Sequence, residues 1–157
     1  MDVSSLQKAR YEYRPKLPSV FETHGPFAAM VEGDATTSVA DQEAIQEHFS
    51  TTYGGPTVTF ADEKAEVAVD VLKVGVIFSG GQAPGGHNVV AGLYDALKNM
   101  NPDNELYGFL VGPSGLIDNH NMLLTQEKVS EYLNTGGFDM IRSGRTKLEE
   151  EEQFEQV

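Results

Sequence analysis

Two short stretches hold the residue types and spacings from which a reactive site can be built. Ser79-Gly80-Gly81-Gln82-Ala83-Pro84-Gly85-Gly86 places four glycines and a proline between positions 80 and 86. Glycines let a backbone approach a ligand and take positive φ, so that amide N–H groups can converge on an anion. Arg142-Ser143-Gly144-Arg145-Thr146-Lys147 gathers three of the chain's 11 cations into six residues. A planar guanidinium there can fork onto phosphate oxygens, which an ammonium does less well. Each stretch has a plainer reading beside the chemical one: a tight strand-to-helix turn for the first, a solvated loop balancing the acidic segment Glu149–Glu152 for the second.

Neither common nucleotide-binding pattern is met. Residues 81–86 have the glycine spacing of a Walker loop, but His87-Asn88 stand where Lys-Ser/Thr is required. The dinucleotide pattern G-x-G-x-x-G is absent as well, because Gly80 and Gly81 are adjacent.

The elements that must position these stretches are legible around them. Val74, Val76, Ile77 and Phe78 read as a buried strand running into the glycine turn. Val89, Leu93, Leu97 and Met100 recur at helical spacing, with Asn101-Pro102 as the stop. The free N–H groups and dipole of that helix are expected to add to the field at the turn. Glu105–Val111 reads as a second strand, so that strand, helix and strand form a parallel, right-handed unit. Gly112-Pro113-Ser114-Gly115 reads as a loop at its end, and Thr125 as the cap of a helix over Gln126–Leu133. Phe138–Ile141 reads as a third strand, whose end delivers the arginine run to the edge that carries the glycine turn. Thr146-Lys147-Leu148-Glu149 has the form of a capping box opening a last helix. Upstream, residues 5–14 suit a short helix, residues 21–37 loops, and Ser38 the cap of a helix through Phe49. Thr57–Phe60 reads as a strand and Asp62–Asp70 as a linker or hairpin. His24 and His48 read as loop and helix-surface residues, and nothing in residues 1–72 points to chemistry.

Composition narrows the function classes. With 24 acidic against 11 basic residues the formal charge is −13. That sign argues against nucleic acid and against anionic membrane as partners. The chain contains no cysteine, which excludes disulfides and thiolate metal sites within it. No apolar run approaches the roughly 18 residues a membrane span needs, and no leader pattern opens the chain. A cytoplasmic location is the expectation.

Gly80-Gly81-Gln82-Ala83-Pro84-Gly85-Gly86-His87-Asn88 resembles the G-G-D-x-P-G-x-N turn that follows the first strand of phosphofructokinases. Gln82 and the Gly86-His87-Asn88 ending are similar to the pyrophosphate-dependent branch. So are Leu106-Tyr107-Gly108-Phe109-Leu110, the run from Gly136 to Arg145, and the segments around Ser5–Pro18 and Thr52–Phe60. The resemblance implies an α/β fold with a three-layer, Rossmann-like, mostly parallel sheet. Residues 1–71 would be an N-terminal extension and 72–157 the first part of a phosphate-donor domain, cut within a helix. It implies diphosphate binding by Gly80, Gly81 and Arg145, with Arg142 structural or exposed. The expected reaction moves a phosphoryl group from inorganic pyrophosphate to fructose 6-phosphate. Mg2+ ligands, the aspartate that activates the sugar hydroxyl, and the sugar-phosphate site would all lie beyond Val157. The remainder of the enzyme chain and a homo-oligomer are the expected partners. Two alternatives stand beside this: ATP as donor on the same fold, and a non-catalytic module acting by association.

Overall fold

The computed structural model describes residues 3–68, 70–81 and 83–157. They form two compact units, one of Leu17–Ala68 and one of Met1–Lys16 with Val69–Val157. In chain order the elements are α1 (Ser5–Glu12), α2 (Ser19–His24), β1 (Ala28–Ala35), α3 (Gln42–His48), β2 (Pro56–Lys64), β3 (Lys73–Val76) and α4 (Gly86–Met100), then β4 (Glu105–Phe109), α5 (Pro113–Ile117), β5 (Asn121–Leu123), α6 (Gln126–Tyr132) and α7 (Glu151–Gln156).

In the Leu17–Ala68 unit, β1 and β2 pair antiparallel, with Val31 opposite Thr59 and Glu32 opposite Val58. The sequence reading of residues 21–37 as loops is therefore corrected. Gly33 and Asp34, which read as turn residues, lie within β1, because β2 supplies the partner that local propensity cannot announce. The segment Asp62–Asp70, read as a linker or hairpin, likewise begins as strand, since β2 continues to Lys64. Phe21 of α2 meets Phe60 of β2 edge to face, centroids 4.8 Å apart, and His24 Nε2 lies 2.9 Å from Asp62 Oδ1. Ser38 does not cap α3. Its carbonyl instead accepts the Gln42 side-chain amide, and the helix starts after Asp41, which is left-handed at φ 53°.

The other unit holds the expected strand–helix–strand crossover. β3 and β4 are parallel, with Lys73 opposite Glu105 and Val76 opposite Gly108. β5 adds antiparallel to β4, so the described sheet is a mixed one in the order β3-β4-β5. The architecture is α/β, with one parallel and one antiparallel pair in this sheet. β5 escaped the sequence reading because only three residues pair.

α4 lies over the core through Val90, Ala91, Tyr94 and Leu97, packed with Leu106, Leu124, Val129 and Ile141. This face is rotated from the one that the apolar spacing suggested, and Val89 is 63 % exposed. Tyr94 and His87 bury in its place, an outcome the apolar count alone does not reveal. Thr125 caps α6 as expected, its Oγ1 accepting the Lys128 amide. Asn104, fully buried, closes the C-terminal end of α4: its Nδ2 donates to Leu97 O and its Oδ1 accepts from Leu72 N at 2.7 Å.

Two further expectations are corrected at the C-terminal end. Phe138–Ile141 is a turn, closed by the Arg142 amide donating to Phe138 O at 2.6 Å. Its neighbours Met140 and Ile141 are both buried, which the alternating faces of a strand would not allow over a single core. The capping box is built by Glu150 and Gln153 rather than by Thr146 and Glu149, so the last helix starts later than the pattern at Thr146 suggested.

Candidate anion-binding site

β3 ends at Val76, short of the Phe78 expected from the sequence, and the glycine turn opens three residues later at Ser79, which forms an isolated parallel bridge with Gly144. Phe78, just before it, is buried and stacks on Phe138 with ring centroids 4.2 Å apart and planes 16° apart. Gly80 then takes φ 94° and Gly85 φ 95°, a region that side chains with a Cβ rarely occupy. Positive φ at these two corners turns the chain out of the strand and back into α4.

The segment 136–145 frames that turn from both sides. At one end the Gly80 amide donates to Gly144 O at 2.8 Å, and the Gly144 amide to Phe78 O at 3.4 Å. At the other, the Gly85 amide donates to Gly136 O at 3.2 Å and the His87 amide to Gly137 O at 3.0 Å. Gly144 and Gly112 pass so closely that a Cβ on Gly112 would fall 2.8 Å from Phe78 O. The Gly112–Gly115 stretch, read as loop, thus backs the frame and continues into the short helix α5.

This frame carries Arg145 to the turn. A terminal guanidinium nitrogen, Nη2, stands 3.2 Å from where a Cβ on Gly81 would be. Gly81 and Arg145 are both exposed, so the pair is open to a ligand. The structure therefore brings together the three residues singled out from sequence, Gly80, Gly81 and Arg145. Gln82 lies outside the described residues. Arg142 is exposed and left-handed at φ 62°, and its amide closes the 138–142 turn.

The accounting of amide donors differs from the sequence expectation. The Gly80 N–H is committed to Gly144 O, so Gly80 contributes close backbone approach and conformation rather than a free donor. At the start of α4, the amides of Asn88 and Val89 both bond Gly85 O, and that of His87 bonds Gly137 O. Of these amides only that of His87 reaches the frame, and those of Asn88 and Val89 close the helix's own first turn, so none of the three is left free toward the glycine corner. The helix dipole still points its positive end at the turn.

His87 is the side chain that the sequence reading left without a role. It is 1 % exposed, its Nε2 accepts the Met140 amide at 3.1 Å, and its Nδ1 meets Thr135 Oγ1 at 2.6 Å. Burial lowers its pKa from the ordinary value, opposed by the carboxylate of Asp139. Asn88 forms a reciprocal pair with Asn134, accepting its amide and donating to its Oδ1, both at 2.9 Å. Asn134 in turn donates to Arg10 O and Tyr13 O at the end of α1. Gly86 is pressed against the Phe138 ring. In the sequence, Gly86-His87-Asn88 showed only as the ending of the glycine motif, and the burial of His87 and the partners of Asn88 come from the 134–140 segment, far away along the chain.

Among the described residues, no three His, Asp or Glu side chains come together as a metal-ligand cluster. No helix among them is long and apolar enough to cross a membrane.

No family model matches the chain. Comparison with curated proteins finds close relatives. It is 51% identical over 155 residues to a pyrophosphate–fructose 6-phosphate 1-phosphotransferase of Porphyromonas gingivalis, covering 99% of this chain and 28% of that protein. A protein of the same name from Treponema pallidum is 44% identical over 98% of the chain, again across 28% of its own length. The beta subunit so named in Solanum tuberosum is 42% identical over 98% of the chain and 27% of its own length. The chain thus spans little more than a quarter of the length of the curated relatives it matches. The resemblance drawn from Gly80–Asn88, Leu106–Leu110, Gly136–Arg145 and the segments around Ser5–Pro18 and Thr52–Phe60 is borne out by similarity across nearly the whole chain.

Proposed function

We propose that this chain forms the donor-phosphate side of a pyrophosphate-dependent 6-phosphofructokinase. The observation that carries the reading is the guanidinium of Arg145 lying beside the exposed Gly81, next to the left-handed corner at Gly80. In the proposed reaction the C1 hydroxyl of fructose 6-phosphate attacks one phosphorus of inorganic pyrophosphate. The bridging P–O bond breaks, and fructose 1,6-bisphosphate, orthophosphate and the hydroxyl proton leave. Such a transfer needs positioning and charge neutralisation more than covalent chemistry. Gly81 allows the donor to approach the backbone, and Arg145 meets its anionic oxygens with a fork of donors. The frame from Gly136 to Gly144 keeps both at one place. A turn already tied by its own hydrogen bonds needs little reorganisation when charge shifts from the bridging oxygen to the leaving phosphate.

The proposal extends to what lies outside the chain. Magnesium would neutralise part of the donor's charge, but the described residues show no ligand cluster for it. The sugar-phosphate site, the activating carboxylate, the completed three-layer sheet, a homo-oligomer and a cytoplasmic setting belong to the same reading. Calorimetric titration with inorganic pyrophosphate tests its centre. Removing Arg145 deletes charge-assisted bonds of about 2 kcal/mol, so Arg145→Ala is expected to weaken binding about 30-fold. Equal affinity in the variant would overturn the assignment. Assay of the complete open reading frame with pyrophosphate and with ATP decides the donor, and turnover with ATP alone would remove pyrophosphate from that role.

A further inference from the structure

The most buried titratable side chain of the α/β unit is one that the proposed transfer does not use. His87 sits in the first turn of α4, and its amide and both ring nitrogens bond the segment that carries Arg145. Its tautomer follows from its partners. The Met140 amide can only donate, so Nε2 is an acceptor and Nδ1 carries the proton. Nδ1–H then donates to Thr135 Oγ1, whose own hydrogen goes to Tyr132 O at 2.6 Å. The ring also stands edge-on to Tyr132, centroids 4.8 Å apart. A neutral imidazole satisfies every partner, whereas a hydrocarbon of the same size would leave the Met140 amide without its acceptor.

The frame around the glycine turn is otherwise made by backbone. Gly80 and Gly144 tie its near end, and Gly85 and Gly136 its far end. Between them the chain turns sharply at Phe138–Ile141, and the tie from α4 into that turn is the His87 ring on Met140. At the near end the Gly80 amide holds Gly144 O at 2.8 Å and the return bond from the Gly144 amide to Phe78 O is longer, at 3.4 Å, so the orientation of the turn that leads to Arg145 depends also on its tie to α4.

We propose that His87 is a positioning residue: clamped between Thr135 and Met140, it holds the 135–145 segment against the glycine turn so that Arg145 reaches Gly81. The proposal rests on the reading of Gly80, Gly81 and Arg145 as a diphosphate site. It differs from a purely structural role in one respect, because the effect of His87 on ligand must pass through Arg145.

A double-mutant cycle with inorganic pyrophosphate as the probe tests that route. Affinities are measured by calorimetry for wild type, His87→Phe, Arg145→Ala and the double variant, at a temperature where circular dichroism shows each folded. Displacing a contact group by about an ångström justifies an expected loss of at least about tenfold in His87→Phe. The double variant is expected to bind no more weakly than Arg145→Ala alone. His87→Gln, whose Oε1 can accept from Met140, restores most of the affinity, while His87→Asn, which reaches only Thr135, does not. If His87→Phe does not fold, this Gln–Asn contrast decides the matter by itself. Wild-type affinity in His87→Phe or in both polar variants, or a loss that adds undiminished to that of Arg145→Ala, overturns the role of His87 alone. Failure of the wild-type protein to bind pyrophosphate overturns the diphosphate site and this proposal together.

Discussion

Gly86→Ala is the substitution whose outcome follows most directly from the geometry. A Cβ on Gly86 would overlap the Phe138 ring and lie 2.8 Å from Gly137 O. The ring cannot swing aside, since its other face is stacked on Phe78 with centroids 4.2 Å apart. The backbone must therefore move, and the His87 amide loses its 3.0 Å bond to Gly137 O. Overpacking a filled site costs about 2 kcal/mol, and the lost bond adds about 1 kcal/mol. The better helix propensity of alanine returns up to about 1 kcal/mol. The net expectation is destabilisation by about 2 kcal/mol, or a melting temperature about 6 °C lower for a chain of this size. Gly92→Ala on the same helix is the control. Nothing lies within 4 Å of its added Cβ, so the propensity term acts alone and stability should rise by about 0.5–1 kcal/mol. Urea unfolding followed by tyrosine fluorescence reads both, with Tyr94 and Tyr132 as reporters in this unit. If Gly86→Ala is neutral, or rises with Gly92→Ala, the Phe138 contact does not constrain the start of α4 and the account of the glycine pair is wrong.

Two further outcomes follow from buried polar groups. Asn104→Ala strands the Leu72 amide, whereas Leu97 O keeps its bond from the Asn101 amide, so a loss of about 2 kcal/mol is expected in the same unfolding assay. Protonation of His87 gives the second. Its folded pKa lies below the ordinary value because burial disfavours the cation, with Asp139 opposing. The unfolded chain therefore takes up the proton first as pH falls, and stability drops from the unfolded pKa, near 6.5, down to the folded one. Above that window His87 contributes no slope. The urea midpoint of wild type should thus fall more steeply between pH 7 and pH 5.5 than that of His87→Gln, and equal slopes would remove His87 as the source.

What the sequence disclosed and what it hid have a common cause. The crossover β3–α4–β4 was legible because each part is signalled locally: a β-branched run, a glycine corner, a helical repeat and a stop. β1 was not, since Gly33 and Asp34 read as a turn until Thr57–Phe60 is present to pair with them. Phe138–Ile141 misled in the opposite sense. Its apolar run fits a strand, but three of its side chains enter one core, and a turn delivers them there. At the site, the approach of Arg145 to the glycine turn was expected from the end of a third strand, whereas a turn at 138–142 and the Ser79–Gly144 bridge bring it there. The cost in amides was not expected. Spacing shows where N–H groups can converge, and only tertiary contacts show that those of Gly80, Gly85 and His87 are already used.

That accounting divides the glycine motif by function. Gly81 is exposed beside Arg145, whereas Gly86 and His87 are buried against Phe138 and Met140, and Asn88 pairs with Asn134 at the surface. On the proposed reading the motif is two devices in series, an exposed corner that would meet the anion and a buried histidine that would latch the loop carrying the arginine. Substitution at Gly86 should show first as lost stability, and substitution at Arg145 as lost affinity in a protein of unchanged stability. His87 stands at the join, and for that reason is the position where stability and affinity are expected to fall together.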